Sequence, residues 1–156
     1  MNPGETLLKM AAFRVGKHEC AIDIMSIKEI VNPLDITPLP RAPAFLEGVV
    51  ELRGAIVPIV DLRKRFGIPA EKTPSMKYII ASRGGRIIGL IVDSVTEVIN
   101  VPFSDLRPAP GITKDPDVQP VSAMCRFGGR LILVLDLNVM LSSEEKMELS
   151  AVEERT

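Results

Sequence analysis

Apolar residues recur along this chain in short runs, and the runs appear twice in nearly the same order. The run IKEIV at residues 27–31 returns as VTEVI at residues 95–99. A longer run, GAIVPIVDL at residues 54–62, returns as GRLILVLDL at residues 129–137. Because each copy is too short to enclose a large core alone, the repeat predicts two related units packed together. A seam between two such units is a suitable place for binding partners.

The runs predict mainly β-strands that are joined by tight turns. The predicted strands cover residues 7–15, 21–24, 48–52, 55–62, 77–82, 86–93, 119–126 and 130–137. The clearest hairpin is the one at Gly84-Gly85, because glycine reaches the positive φ angles that tight turns require. Many short strands in a duplicated order favour a pair of small barrels over a parallel sheet with helices. The expected fold class is therefore all-β.

A few segments depart from strand patterns. Residues 27, 30 and 31 are spaced as one helical turn, so we expect a short helical or irregular piece there. A further helical turn is predicted at residues 62–66, and the longest loop is expected at residues 102–116. Ser142 followed by Glu145 is a capping-box pattern that predicts a charged C-terminal helix. The chain thus divides into a single domain of residues 1–156, with subdomains at 7–67 and 76–141 and a tail at 142–156.

Composition argues against several classes of partner. Aromatic residues make up 4% of the chain and there is no Trp, so platforms for stacking nucleic-acid bases are scarce. A net charge of −1 provides no overall attraction to nucleic acid or to an anionic membrane. No apolar run approaches the ~20 residues that span a bilayer. Two cysteines without CxxC spacing favour a reduced, cytoplasmic protein.

The residues that usually carry catalysis are sparse. His18 is the only histidine and is expected in a hairpin loop, and its neighbour Cys20 is the one candidate nucleophile near it. Neither residue has an evident third group to complete a catalytic or metal-binding set. Asp61 and Asp136 recur at matching positions, where an N-terminal helix cap is the expected role. The basic cluster at residues 63–65 is expected to be a solvated face.

Apolar side chains at strand ends and in loops are candidates for protein interfaces. These candidates are Ile27, Val31, Leu39, Phe45, Leu46, Val98, Ile99 and Ile112. An ordinary core position is the alternative for about half of them.

Three segments together resemble the bacterial chemotaxis coupling protein family, CheW. They are FLEGVVELRG at residues 45–54, IVPIVDL at residues 56–62 and GLIVDSV at residues 89–95, and the similarity extends over roughly residues 10–142. The resemblance implies two intertwined five-stranded SH3-like barrels around a shared core, which agrees with the repeat. It also implies a non-enzymatic adaptor that needs no cofactor.

The resemblance further implies partners and binding residues. The adaptor would join the cytoplasmic tips of chemoreceptors, the methyl-accepting chemotaxis proteins, to the regulatory domain of the histidine kinase CheA. The receptor-facing positions fall on Ile27, Glu29, Arg53 and Val98. The kinase-facing positions fall on Pro43, Phe45, Leu46 and Gly48, with a second contact at Arg107 and Ile112. For Arg53, bracing the β-hairpin is an alternative to pairing with a partner.

The family would place the chain in the cytoplasm at membrane receptor arrays, as a standalone coupler that is monomeric alone. The alternative function from another class is a small-barrel nucleic-acid-binding protein, which the absence of a basic stripe disfavours. An enzyme is a third possibility, and the single histidine makes it the weakest.

Overall fold

Alternating apolar runs and glycine turns fold most of the described chain into hairpins. The computed structural model describes residues 6–42, 46–108 and 121–137. The strands are β1 (Leu7–Val15), β2 (His18–Asp23), β3 (Ile27–Val31), β4 (Leu46–Leu52), β5 (Ala55–Asp61), β6 (Lys77–Arg83), β7 (Arg86–Val92), β8 (Ser94–Pro102), β9 (Arg107–Pro108), β10 (Val121–Phe127) and β11 (Arg130–Leu135). Short 3-10 helices occupy Ile24–Ser26 and Phe103–Asp105, and one helical turn, α1, occupies Leu62–Arg65.

The strands form two sheets. The first sheet has the order β8-β1-β2-β11-β10-β9, and the second has the order β3-β6-β7-β5-β4. Most neighbours are antiparallel, but β2 pairs with β11 and β5 pairs with β7 in parallel. The predicted all-β class is confirmed. The closure of each sheet into a five-stranded barrel stays a prediction.

The sequence repeat is also a repeat of strand pairing. The five strands of the first copy, β1 to β5, can be matched in order with β6, β7, β8, β10 and β11 of the second copy. When each strand is exchanged for its match, the strand order of the second sheet becomes that of the first sheet, apart from β9. The registers agree as well. Ile27 lies opposite Ala81, and Val95 lies opposite Phe13, with a register shift beside each pair. The two copies therefore have the same bulges as well as the same strands.

Each sheet takes strands from both copies. The first sheet combines the β1–β2 hairpin of the first copy with β8, β10 and β11 of the second copy, and the second sheet has the converse arrangement. The predicted division at residues 7–67 and 76–141 stays a prediction, and strands from both ranges are present in each sheet. Because strands are exchanged in this way, the two copies are intertwined.

The largest core cluster lies between the sheets. Phe13 and Ile22 of the first sheet pack in the same cluster as Ile79 and Leu90 of the second sheet, and each of these side chains is fully buried. Smaller clusters lie within each sheet. Burial of aliphatic and aromatic side chains stabilises a protein by roughly 25 cal/mol for each Å² of apolar surface removed from water. The sheets therefore depend on each other for a large part of their hydrophobic stabilisation.

The hairpin predicted at Gly84-Gly85 is confirmed, with φ angles of 62° and 80° at the two glycines. Arg83 and Arg86 are the last paired residues on either side of the turn. The helical turn predicted at α1 is also confirmed, and the side chain of Asp61 caps it by accepting a hydrogen bond from the backbone nitrogen of Arg63 at 2.9 Å.

The helical piece predicted at residues 27–31 is wrong, because this segment is strand β3. Its isoleucines and valine are β-branched and favour strands. Pairing with β6, which follows much later in the chain, supplies partners for the backbone of β3. The helical turn lies just before β3, at Ile24–Ser26, where the side chain of Asp23 accepts a hydrogen bond from the nitrogen of Met25 at 2.9 Å.

The loop predicted at residues 102–116 is not wholly irregular. In its described part it contains the 3-10 helix Phe103–Asp105 and the short strand β9. β9 pairs with β10, as Thr37 pairs with Val49 of β4 in the second sheet. The helix predicted from Ser142 lies outside the described residues.

Gly48 supplies a stability prediction. Its φ is 144°, and a Cβ atom there would lie 2.1 Å from the carbonyl oxygen of Thr37, which pairs with Val49 through backbone hydrogen bonds of 2.8 and 2.9 Å. We expect Gly48→Ala to lower the free energy of unfolding by more than about 3 kcal/mol, as measured by urea denaturation.

Gly54→Ala is the matched control. Gly54 also has a positive φ, of 81°, but a Cβ atom there would have open space. That variant should lose only the cost of the left-handed backbone, about 1–2 kcal/mol. Equal losses in the two variants would mean that the clash with Thr37 has no energetic consequence.

Candidate functional site

Glu29 and Arg53 form a two-pronged ion pair. Glu29 projects from β3, and Arg53 lies in the turn between β4 and β5 with a φ of 52°, which is unusual for a residue other than glycine. Arg53 donates from Nε to Oε2 at 3.1 Å and from Nη2 to Oε1 at 2.8 Å. These hydrogen bonds hold the pKa of Glu29 below its usual value. Two of the predicted receptor-facing residues are thus in direct contact.

A similar pair exists at the repeated position. Glu97, which occupies the place of Glu29 in the second copy of the run, accepts a hydrogen bond from Arg130 Nη2 at 2.7 Å. Arg130 lies in the β10–β11 hairpin, shortly beyond Gly128, the position that matches Arg53. It also pairs with Glu19 at 3.3 Å. Sequence analysis missed this pair, although the repeat marks Glu97 as the counterpart of Glu29.

Exposed aliphatic side chains also occur in matched pairs. Ile30 and Val98 are 41% and 52% exposed, and they occupy the same position in the two copies of the shorter run. Ile56 and Leu131 are 63% and 45% exposed, and they occupy the same position in the two copies of the longer run. Single exposed aliphatic residues are ordinary on protein surfaces, but recurrence at repeat-equivalent positions indicates a shared role.

The two ion pairs define two surfaces. We call the pair of Glu29 and Arg53 the first face, and the pair of Glu97 and Arg130 the second face. In each face, a strand glutamate is bound by an arginine from a hairpin turn, and the exposed aliphatic residue that follows the glutamate projects from the other side of the strand. Each face presents an oriented guanidinium that can pair with carbonyl or carboxylate oxygens of a protein partner.

The predicted receptor-facing residues divide between the two sheets. Glu29 and Arg53 meet in the first face, and Ile27, on the same strand as Glu29, is half-buried and packs against the core between the sheets. Val98 lies on β8 at the edge of the first sheet, opposite Ala11 of β1.

The predicted kinase-facing residues have different environments. Leu46 is 5% exposed and packs in the core between the sheets. Gly48 adjoins the backbone of Thr37, and Arg107 is exposed on β9. Pro43, Phe45 and Ile112 lie outside the described residues.

The basic cluster at residues 63–65 is not the solvated face that its composition predicts. Arg63 and Arg65 are 4% and 8% exposed, and only Lys64, which pairs with Glu47, is exposed. Arg63 is held inward by its ion pairs with Asp61 and Asp93. That part of the sequence interpretation is therefore wrong.

Arg63 is the centre of a buried ion cluster. It donates from Nε and Nη2 to the two carboxylate oxygens of Asp61, each at 3.0 Å, and from Nη1 to Asp93 at 3.2 Å. Asp93 in turn accepts a hydrogen bond from the backbone nitrogen of Gly16 at 2.6 Å. Burial alone would lower the pKa of Arg63, but Asp61 and Asp93 outweigh burial and raise that pKa. The cluster links the β1–β2 turn, the end of β5 and the β7–β8 connection.

The two residues considered for catalysis have different environments. Cys20 is fully buried, and burial, with a smaller contribution from the charge of Glu19, raises the pKa of its thiol to about 12. His18 is exposed and stacks edge-on against Phe66, with ring centroids 5.9 Å apart. Within the described ranges, no group of three or more histidine, cysteine or acidic residues is arranged to hold a metal ion. Over the same ranges, no helix has the length and apolar character required to cross a membrane.

An all-β chain with an internal repeat, two matched faces of paired charge and matched exposed aliphatic side chains has the features of a protein-binding module. Comparison with known proteins gives the family. The family model described as the CheW-like domain matches residues 9–145. The chain therefore belongs to the CheW-like family.

Similar proteins cover most of the chain. The chemotaxis protein CheW of Rhizobium meliloti (strain 1021) is 37% identical over 139 residues, which are 88% of this chain and 90% of that protein. The chemotaxis protein CheW of Bacillus subtilis (strain 168) is 35% identical over 138 residues, which are 87% and 88% of the two chains. The crystal structure of the scaffolding protein TtCheW from Thermoanaerobacter tengcongensis matches with a TM-score of 0.77 at 33% identity, over 84% of this chain and 90% of that one.

The buried ion cluster supplies a prediction. We expect Arg63→Met to lower the free energy of unfolding by about 3–5 kcal/mol, because Asp61 would remain buried without its partner. Adding Asp61→Asn should recover part of the loss, since the unpaired charge is removed. Urea denaturation measures both effects.

Lys64→Met is the control on the same helical turn. Its ion pair with Glu47 is partly exposed and should be worth no more than about 1 kcal/mol. A loss for Arg63→Met as small as that of Lys64→Met would show that the cluster does not hold the three segments together.

Cys20 supplies a pH prediction. In the unfolded chain the thiol ionises near pH 8.5, whereas in the folded protein it stays protonated to about pH 12. Its contribution to stability is therefore complete below about pH 8.5 and is lost progressively as the pH rises toward 12. We expect the free energy of unfolding to fall more steeply between pH 9 and 11, with urea as denaturant, than in Cys20→Ala. The same pH dependence in both proteins would contradict the burial of a protonated thiol.

Proposed function

We propose that this chain is a non-enzymatic adaptor of bacterial chemotaxis that couples chemoreceptors to a CheA-type histidine kinase. The observation that carries the proposal is membership of the CheW-like family over residues 9–145, together with relatives that are named as chemotaxis and scaffolding proteins. The protein would act in the cytoplasm, at membrane receptor arrays, and would be monomeric alone.

Coupling requires two surfaces on one rigid body. An adaptor that holds receptor and kinase together raises their effective concentration, often to the millimolar range for a short connection. A change at one interface can then bias the other by a coupling free energy of about 1–3 kcal/mol. The interlocked sheets and the core that lies between them support this role, because they leave few independent parts to absorb a displacement.

For the receptor, we propose a surface that includes Ile27, Glu29, Arg53 and Val98. Arg53 supports this assignment because its guanidinium is oriented in advance by Glu29 while its side chain stays 75% exposed. Arg53 uses Nε and Nη2 for Glu29, and among the described residues no hydrogen bond from Nη1 is found. The Nη1 donors are therefore suited to carboxylates or backbone carbonyls of a receptor helix.

For the kinase, we propose a surface around Pro43, Phe45, Leu46 and Gly48, with a second contact that includes Arg107 and Ile112. Leu46 is buried, so its part would be to anchor the segment that precedes β4 rather than to contact the kinase through exposed area. Arg107 is exposed and would contact the kinase directly. The alternative of a small-barrel nucleic-acid-binding protein is not favoured by the family or by the net charge of −1.

The proposal is tested by separating the two surfaces. Binding to membranes that contain chemoreceptors, and to the regulatory domain of a CheA kinase, would be measured by sedimentation and by titration calorimetry. We expect Arg53→Glu to weaken receptor binding by at least about tenfold, because it repels Glu29 and removes the oriented guanidinium, and to leave kinase binding unchanged. Phe45→Ala should have the converse effect.

Lys17→Glu makes the same charge change in the exposed β1–β2 turn and should affect neither partner. A chain with both Arg53→Glu and Glu29→Arg keeps the ion pair but exchanges its two members. Restored receptor binding in this chain would mean that the ion pair acts by bracing the hairpin and not through direct contact between Arg53 and the receptor. Binding to neither partner by the unmodified chain would refute the adaptor function.

A further inference from the structure

A cavity of about 390 Å³ lies beside β9 and β10 on the first sheet. Its lining is partly apolar, from Met124, Cys125 and Leu131, and partly charged, from Asp105, Arg107 and Arg126. Leu131 is 45% exposed, so the apolar part of the lining is accessible from solvent. The cavity does not include the first face.

The two arginines of the cavity differ from other arginines of the chain. Arg14, Arg53, Arg63 and Arg130 each pair with a carboxylate. Within the described part of the chain, the side chain of Arg107 makes only a long hydrogen bond, of 3.5 Å, to the carbonyl oxygen of Ser104, and the side chain of Arg126 makes no hydrogen bond or ion pair. Among the described lining residues, two guanidiniums against one carboxylate, Asp105, give a net charge of +1.

This charge is particular to one sheet. When the longer repeated run is extended backward, the counterpart of Arg126 is Glu51, and within the run the counterpart of Leu131 is Ile56. Glu51 and Ile56 lie opposite each other on β4 and β5, as Arg126 and Leu131 do on β10 and β11. An acidic, partly apolar ligand therefore fits the first sheet and is repelled at the equivalent place on the second.

The chain contains a segment of that chemistry. Residues 142–156 have five glutamates against one lysine and one arginine, a charge of −3, and they include the apolar residues Met147, Leu149 and Val152. The described chain ends at Leu137, shortly after Leu131, so its end lies at most ~20 Å from Leu131 along the strand direction. Residues 138–143 can span a similar ~20 Å, so Glu144 and the residues after it can reach the cavity.

We propose that the acidic segment 142–156 docks in the cavity beside β9, with its glutamates paired to Arg107 and Arg126 and its apolar side chains against Met124 and Leu131. Attachment to the same chain favours docking, because the effective concentration of a tethered ligand is on the order of millimolar. If Arg107 also contacts the kinase, which rests on the proposed function, the docked segment competes with that contact.

Disulfide trapping in the full chain tests the docking. A chain with Cys125→Ala, Leu131→Cys and Met147→Cys should form an intramolecular disulfide under mild oxidation, whereas buried Cys20 does not participate. The matched control replaces Leu131→Cys by Ile56→Cys, the more exposed counterpart on the other sheet. We expect at least about a tenfold higher initial rate for the Leu131 chain.

Charge dependence is the second arm of the test. Adding Arg126→Glu, or raising the salt to about 0.5 M, should reduce the rate in the Leu131 chain toward that of the control, because ion pairs near a surface are screened and reversed by these changes. Lys17→Glu should leave the rate unchanged. Replacing Glu144, Glu145 and Glu148 by Lys in the Arg126→Glu chain should restore it.

Equal initial rates of disulfide formation in the Leu131 and Ile56 chains would overturn the docking. Rates that do not change with Arg126→Glu or with salt would also overturn it. The measurement contains no kinase, so its outcome is separate from that of the adaptor proposal. Competition is measured afterwards, as an increase in affinity for the kinase regulatory domain when Glu144→Gln, Glu145→Gln and Glu148→Gln are introduced together. An unchanged affinity for the kinase regulatory domain would show that the docked segment does not compete with the kinase.

Discussion

The exchange of strands between the two copies is the constraint on which the rest of this structure depends. β2 of the first copy takes β11 of the second as its parallel neighbour, and β7 of the second copy takes β5 of the first. The antiparallel pairs β1–β8 and β3–β6 also join different copies. A strand that lacks its neighbour leaves backbone donors and acceptors unpaired, so neither copy can complete a sheet alone. The two sheets therefore depend on each other, and the largest of the core clusters lies between them.

The buried cluster around Arg63 fixes how the exchanged parts meet. Its members come from the β1–β2 turn, the end of β5 and the β7–β8 connection, so it touches both sheets and both copies. A buried ion pair adds little net stability against an apolar replacement of the same shape, but loss of one partner is costly. We interpret the cluster as a constraint on how the segments are arranged, because its hydrogen bonds join residues from three of them. Asp61 serves there both as a helix cap and as a carboxylate partner.

Much of this fold could be predicted from local sequence, since glycine turns and alternating runs specify hairpins within a few residues of one another. Gly84-Gly85 illustrates this. What could not be predicted depends on residues far apart in the chain. Strand β3 depends on pairing with β6, whereas local spacing suggested a helical turn there. Arg63 is buried and bonded to Asp93, which is distant in sequence, whereas local composition suggested that Arg63 is exposed to solvent.

The candidate site shows the same limit. The family resemblance selected Glu29 and Arg53 individually, but only the folded structure shows that an oxygen of Glu29 and a nitrogen of Arg53 lie 2.8 Å apart. The second pair, Glu97 and Arg130, is displaced slightly from the strict repeat, because Arg130 does not occupy the position that matches Arg53. The spacing of the repeat therefore identifies Glu97 as the counterpart of Glu29, but it does not identify Arg130 as the partner of Glu97.

The two copies of the repeat share their backbone geometry but differ in charge. The backbone registers, the bulges and the exposed aliphatic positions are shared by the two copies. The charges beside them are not shared, as Glu51 opposite Ile56 and Arg126 opposite Leu131 demonstrate. Like charges placed together across an interface cost several kcal/mol, whereas a shared apolar contact discriminates little between partners. The matched aliphatic residues Ile56 and Leu131 therefore present similar apolar surface on the two sheets, and the charges beside them make the two places electrostatically different.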